Sequence, residues 1–370
     1  MTTIFGRFDP EPHLVVSAHE DWASLPVGRD EWNRLMERGS TRTVFQTHEW
    51  NDAWLAAFAG QWRPLTLLVH YNKQLVAIAP FVVERTGIGR PRVALQGHGN
   101  ADYQDVIGLA KRPIVYAVLR ELAQRVPDAI VDLAHVPASS PSVSAIPHAA
   151  RAAGLWPLRR GESVCPTLLL RGHEEHARRL VNRYSVRRPL NYFSRFGPVV
   201  ARRITAQEEV LARLPDFFDQ HVRRWRETST PSLFRRPEPR RFFEEMVRRL
   251  SAPGWLDFSV IELAGRPLAY HFGFRYGNLL TWYKPSFEVE VARHSPGILM
   301  IRHLIERSLD EGLDEVDFTI GTEQFKSRYT NRSRVNFSWR LFSSRYAFQV
   351  GRLIRAARHV GGLAHRGRPL

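Results

Sequence analysis

Between Trp255 and Phe342 the spacing of apolar residues changes in a fixed order, and that order limits the folds open to the chain more than any other feature. Leu256, Phe258 and Val260 alternate with Asp257 and Ser259, Ala264-Gly265-Arg266 breaks the run, and Leu268, Tyr270, Phe272 and Phe274 alternate again. Two period-two stretches around a glycine turn predict a β-hairpin. Tyr276-Gly277-Asn278 forms a second turn, and Leu279 to Lys284 adds the third strand of a meander. After Pro285 and a charged loop the period lengthens. Ile298, Ile301, Leu304, Ile305 and Leu309 fall at helical spacing between Ser295-Pro296-Gly297 and Gly312, which predicts a helix marked at both ends. Val316, Phe318 and Ile320 return to alternation as a short strand, and Val335 to Phe342 forms another after a connecting segment. The order is three strands, a helix, a strand, a connection and a strand.

The first half repeats this order more faintly. Leu65 to Tyr71, a turn at Asn72-Lys73 and Leu75 to Val83 read as a hairpin; Arg92 to Gln96 follows as a strand, Ile114 to Arg125 as a helix and Ala129 to Leu133 as a strand. Two copies of one unit are expected. The Pro- and Ser-rich stretch from Val136 to Pro147 and a basic stretch from His176 to Arg203 lie between them. The division is drawn at 1–175 for the N-terminal unit, 176–345 for the C-terminal unit and 346–370 for a basic tail.

Charge and cysteine content exclude several classes. With 53 basic against 37 acidic residues, the formal charge is +16, and only Lys73, Lys111, Lys284 and Lys326 are lysines. Such a surface draws anions, yet no helix-turn-helix, zinc-finger or RNP-like motif accompanies it. The single cysteine, Cys165, excludes an internal disulfide and any zinc-type cysteine spacing. His173 and His176 look like half a metal site without a third ligand, so no metal is expected. Apolar runs such as Leu75 to Phe81 are strand-sized, which argues against a membrane span, and the expected location is the cytoplasm. The tail, with Phe348, Leu353, Ile354 and Val360 among Arg352, Arg355, Arg358 and Arg366, reads as a weakly amphipathic basic helix, either packed on its own domain or touching acidic headgroups at the inner membrane face. The arginines of 176–203 suit an anionic partner or a solvated helix interrupted at Pro189.

Three positions stand out for chemistry. Ser295-Pro296-Gly297 opens the helix, where unpaired backbone N–H groups attract anions, although Ser295 as N-cap and Pro296 at the first position also need no ligand. Asp317, between Val316 and Phe318, is a carboxylate in a strand expected to be covered on both faces; it requires an arginine or Lys326 as partner, or a role as general base. His271 lies on the strand face of Ala269 and Gly273, whose small side chains leave space for a substrate beside an imidazole that otherwise reads as a core residue.

His221-Val222-Arg223-Arg224-Trp225, Ser232-Leu233-Phe234, Gly265-Arg266-Pro267-Leu268-Ala269, Ser295-Pro296-Gly297, Glu311-Gly312, Val316-Asp317-Phe318, Gly321 and Phe325-Lys326-Ser327-Arg328-Tyr329 together resemble the CelD/BcsL branch of the GNAT acetyltransferases, associated with cellulose and exopolysaccharide biosynthesis. The likeness runs from His48-Glu49-Trp50 to Asn331. It implies an α/β fold of tandem GNAT-like units, with mixed, mostly antiparallel sheets flanked by helices. The N-terminal unit then serves as scaffold and acceptor wall. It also implies acetyl transfer from acetyl-CoA to an amine or hydroxyl of a small molecule or glycan precursor, with no metal.

By that resemblance Arg293, His294, Ser295, Gly297, Ile298 and Lys326 hold coenzyme A, Asp317 or His271 serves as base, Tyr329 or Tyr283 as acid, and Glu323 flanks Lys326. The usual anion loop is altered here: His294 stands three before Gly297, Leu299 replaces a small residue, and Pro296 removes a donor. The alternatives are a Fem-like transferase using aminoacyl-tRNA and an inactive basic protein that binds a polyanion.

Overall fold

The computed structural model describes residues 14–85, 89–226 and 230–366, with side chains of the last helix described through residue 356, so Arg358, Val360 and Arg366 lie outside the described side chains. In chain order the elements are β1 (Leu14–His19), α1 (Arg29–Glu37), α2 (His48–Phe58), β2 (Trp62–Tyr71), β3 (Gln74–Glu84), β4 (Arg92–Leu95), β5 (Ile107–Gly108), α3 (Arg112–Arg125), β6 (Ile130–Pro137), α4 (Ser142–Ala152), β7 (Trp156–Leu169), α5 (Glu174–Val181) and α6 (Tyr184–Phe193). They continue as β8 (Val199–Ile204), α7 (Gln207–Arg224), α8 (Pro237–Leu250), β9 (Leu256–Leu263), β10 (Arg266–Tyr276), β11 (Leu279–Phe287), α9 (Pro296–Asp310), β12 (Glu315–Asp317), α10 (Gln324–Arg328), β13 (Arg332–Phe342) and α11 (Arg345–Arg366).

Two compact units result. One takes the described residues up to Arg42, then 60–162 and 337 onward; the other takes 43–59 and 163–336. In the first, β1, β2, β3 and β4 are successive antiparallel neighbours, and β4 runs parallel to β6. Leu65, Leu67 and Val69 of β2 and Phe81 of β3 share a core with Val115, Val118 and Leu122 of α3, which follows from alternation in the strands and the three-to-four spacing in the helix.

In the second unit the sheet order is β7, β12, β11, β10, β9, β8. The meander β9–β10–β11 is antiparallel, β12 runs parallel to β11, and β7 is antiparallel to β12. Both faces of the meander are covered. Ile261, Ala269 and Leu280 pack with Met300, Leu304 and Ile305 of α9. The opposite face meets α7 and α8, where Phe243 lies 4.5 Å from Phe272 and Phe217 lies 6.1 Å from Tyr270. Residues 43–59 join this unit through α2: Thr47 Oγ1 accepts the Trp50 N–H at 3.2 Å as a cap, and the buried Trp50 ring meets Phe242 of α8 edge-on at 5.2 Å.

Two expectations change. The strand expected over 316–320 ends at Asp317, because its carboxylate accepts the Thr319 N–H at 2.8 Å and Thr319 adopts a left-handed backbone, so the chain turns away. The connection after it carries α10. The basic stretch forms α5 and α6, and Pro189 lies buried inside α6 rather than breaking it. The tail residues described belong to α11, with Phe348 against Trp156 at 5.9 Å.

Candidate active site

In the second unit two neighbouring strands part. β11 pairs with β12 over Leu279–Glu315, Leu280–Val316 and Thr281–Asp317. Beyond Thr281, β11 continues along β10 to Phe287, while the other chain turns to β7 through Phe318 N–H to Pro166 O at 3.0 Å and Gly321 N–H to Val164 O at 3.0 Å. The register between β10 and β11 also shifts, so that Trp282 and Tyr283 stand opposite Gly273 alone, a bulge that bends the β11 bank of the wedge. Thr319 Oγ1 donates to Trp282 O at 3.2 Å and ties the banks at its apex.

Three charged groups gather at this wedge. Arg224, from the end of α7, donates to Pro285 O at 2.7 Å and lies 4.1 Å from the centre of the Phe287 ring. Its guanidinium is lowered to about 10 by burial, opposed by the charge of Glu323 across the wedge. Glu323 is half-exposed and lies 3.1 Å from Lys326 Nζ, which also donates to Ile320 O at 2.8 Å. Gly321 makes this pair possible: a Cβ there would meet Glu323 Oε2 and Lys326 Nζ at 2.5 Å or closer. Lys326 is thus a buried cation held by Glu323, not by Asp317.

Asp317 is buried, with its carboxylate on the Thr319 turn and Arg334 Nη1 at 3.8 Å, so an arginine is the ion partner observed. His271 is fully buried and stacks on Trp282 at 4.9 Å; the Tyr283 N–H faces its Nε2 at 3.4 Å. The space expected beside it is filled by its own ring, since a Cβ on Gly273 would lie 2.2 Å from His271 Cε1. Tyr329 packs in the core with Leu180 and Phe318, and burial raises its phenol. Tyr283 lies among Phe45, Phe243 and Phe274, with Lys284 Nζ 4.1 Å from its ring centre.

The loop before α9 forms a separate basic corner. Ser295 occupies the N-cap position with φ 59, and its side chain makes no capping bond, so the plain-cap reading does not describe it. Pro296 has no N–H and the Ile298 N–H goes to Ser295 O at 3.0 Å, so the Gly297 N–H is a backbone donor that this first turn can offer. Gly297 sits on Phe287, with 3.3 Å from an added Cβ to the ring, and Ile298 is half-buried. Arg293 Nε donates to His294 Nε2 at 3.0 Å, and His294 stacks on Tyr192 of α6 at 3.6 Å. Desolvation, then the charges of Arg293 and Arg188, hold the His294 imidazole below its ordinary range.

Residues not chosen from the sequence complete the surroundings. His221 of α7 bonds Ser232 Oγ at 2.8 Å, and burial, then Lys284 and Arg224, lower its pKa to about 3. Asp257 lies under the meander with Arg307 Nη2 and Ser259 as partners and His271 Nδ1 at 3.7 Å; burial alone would raise its pKa, but His271 and Arg307 hold it far below the carboxylate range. His303 of α9 is lowered to about 4 by burial, then by Arg307. A period-two pattern with an acid inside it, Leu256-Asp257-Phe258, was the available signal for Asp257.

These histidines give a pH dependence of known sign. Below pH 6.5 the unfolded chain binds protons that folded His221 and His303 refuse, so stability falls as pH drops toward 4, by up to about 1.4 kcal/mol per pH unit for each. Urea midpoints at pH 7, 6 and 5 should fall in that order; a flat series contradicts the neutral assignment.

Residues 181–327 match a family model described as an acetyltransferase (GNAT) domain. No curated protein matches the chain. Among solved structures, FemX is similar with a TM-score of 0.62 at 9% identity, covering 88% of this chain and 98% of that one. A tandem GNAT protein from the clavulanic acid biosynthesis pathway gives 0.51 at 13% identity, covering 90% and 99%. L-PGS from Bacillus licheniformis gives 0.51 at 13%, covering 85% and 96%. The fold is therefore the tandem GNAT-like α/β fold, and the domain match makes the chain an acyltransferase of that fold. Among the described residues no helix is long and apolar enough to cross a membrane, and no cluster of His, Cys, Asp and Glu could hold a metal ion.

Proposed function

We propose that the wedge between β11 and β12 is where an acyl group passes from a coenzyme A thioester, most simply acetyl-CoA, to an amine or hydroxyl acceptor. The observation that carries this reading is the parting of the strands after Thr281 and Asp317, which leaves β11 backbone groups beside a bulge and a reachable carboxylate on the facing bank. The acceptor nitrogen or oxygen attacks the thioester carbonyl carbon, the new bond to carbon forms, and the carbon–sulfur bond breaks. Glu323 takes the acceptor proton, since Asp317 is committed to its turn and Arg334 while Glu323 is open to solvent. Tyr283, on the β11 bank, returns a proton to the thiolate. Asp317 and His271 act as positioning residues that hold the two banks.

Gly297 N–H, Arg293 and His294 fit one phosphate of the donor, with side-chain charge in place of the N–H that Pro296 lacks. The acceptor class follows the CelD/BcsL likeness: an amino sugar or polysaccharide precursor in exopolysaccharide synthesis.

The donor-poor turn favours a second reading. FemX and L-PGS share the fold, the sequence resemblance leaves a Fem-like aminoacyl-tRNA transferase open, and Arg183, Arg187 and Arg188 of α6 and its approach continue the basic corner beside His294. An aminoacyl-tRNA donor would use that surface. Calorimetry with acetyl-CoA, beside filter binding with mixed aminoacyl-tRNA across salt, separates the two. The first reading expects saturable acetyl-CoA binding weakened in Arg293→Ala. Tight tRNA binding with a steep salt slope and no acetyl-CoA binding assigns the second. Binding of neither overturns both.

A further inference from the structure

A cavity of about 800 Å³ opens in the first unit, beside α11, and no residue of the wedge lines it. Its size is in the range of small-molecule sites. Arg90, Arg160, Arg340 and Arg355 line it, and no Asp or Glu does so among the described residues. Arg340 is neutralised by Asp132, which accepts from it at 2.7 and 2.8 Å. Arg90 instead donates to Ser343 Oγ at 2.9 Å, and Arg355 to the carbonyl oxygen of Arg159; both acceptors are neutral. Their charge is therefore available to an anion.

Ile130, Leu158, Phe342, Val350 and Ile354 supply an apolar wall, and Tyr346 also lines the cavity. The helix is held close to this wall at Gly351, where a Cβ would lie 2.6 Å from the Phe342 ring. Among the described residues no side-chain amide, Ser or Thr lines the cavity, so its polar side chains are the arginines and Tyr346. Guanidinium groups match phosphate and carboxylate oxygens, and the apolar wall gains only from burying a chain.

We infer that this cavity binds a single-chain amphipathic anion, its phosphate or carboxylate head on Arg90 and Arg355 and its hydrocarbon along Ile130, Phe342 and Val350. Such a molecule could be a free alkyl anion or an acidic lipid of a membrane. Calorimetry with the full chain and dodecyl phosphate below its micellar range, with dodecanoate, dodecanol and inorganic phosphate as comparisons, tests the inference. Dodecyl phosphate should bind roughly 100-fold more tightly than inorganic phosphate, and dodecanol should not compete. Arg90→Ala and Arg355→Ala should each weaken it about tenfold or more, and Ile354→Trp, at a half-exposed rim position, should block the chain. Glu323→Gln should leave binding unchanged.

Melting temperatures near that of the parent chain establish that the variants are folded. Sedimentation with phosphatidylglycerol vesicles, lost in the double arginine variant, assigns the source as membrane lipid; monomer binding without vesicle binding assigns a free anion. Equal affinity for inorganic and dodecyl phosphate, or binding unaffected by the arginine and Ile354 substitutions, overturns the inference.

Discussion

Replacing Glu323 by Gln should lower kcat by about 10²- to 10⁴-fold while leaving the melting temperature close to that of the parent chain, the range removed with a positioned general base. The side chain is half-exposed, and Gln keeps an acceptor oxygen for the buried Lys326 ammonium, which Ile320 O also holds, so little folding energy is lost. Acyl-donor affinity should stay within a fewfold, because Glu323 lies at the wedge rather than at the Arg293–Gly297 corner. A rate that recovers with rising pH in Glu323→Gln fits loss of the base, since more acceptor amine is then already deprotonated. Unchanged kcat at neutral pH would return the base role to water or to Asp317.

The largest loss of stability is expected at Asp257. Its carboxylate is enclosed beneath β9 and β10 and faces Arg307, Arg203 and His271, so Asp257→Ala leaves the Arg307 guanidinium with little access to water and only the more distant Glu311, at 3.7 Å, as a counter-charge. Breaking a buried pair in this way costs roughly 3–5 kcal/mol, a large share of the 5–15 kcal/mol that holds a typical domain. Urea unfolding of Asp257→Ala should show it directly. Exchanging both partners for leucine should recover much of the loss, because the pair is then replaced by apolar contact. A loss below about 1 kcal/mol for the single change would mean that water or Glu311 compensates Arg307.

The meander and its helix were legible because each is amphipathic over a full element. Val260, Tyr270, Phe272 and Leu304 keep their period, and glycines mark the turns at Gly265 and Gly277. The end of β12 was not legible. Phe318 and Ile320 continue the alternation, and only the bond from Thr319 N–H to the Asp317 carboxylate turns the chain there. That side-chain bond outweighs period, as Asx turns commonly do.

The same turn explains why Asp317 stood out for catalysis. A carboxylate in an apolar strand must be satisfied, but sequence cannot distinguish a turn and an arginine from a substrate. Arg224 and His221 were visible only as part of a familial pattern, although Leu214, Phe217, Phe218 and His221 sit at helical spacing; Pro215 inside α7 interrupts that signal without interrupting the helix. In the sequence His271 borders free space because Gly273 has no side chain. In the fold that freedom is used by the imidazole itself.

A crystal structure with a non-hydrolysable acetyl-CoA analogue would locate acyl transfer. The acyl carbonyl should lie between Trp282–Lys284 of β11 and Thr319–Glu323, with a donor phosphate at Gly297 and Arg293. An analogue seated elsewhere, with the wedge closed by side chains and Glu323 beyond reach of the carbonyl carbon, would contradict it.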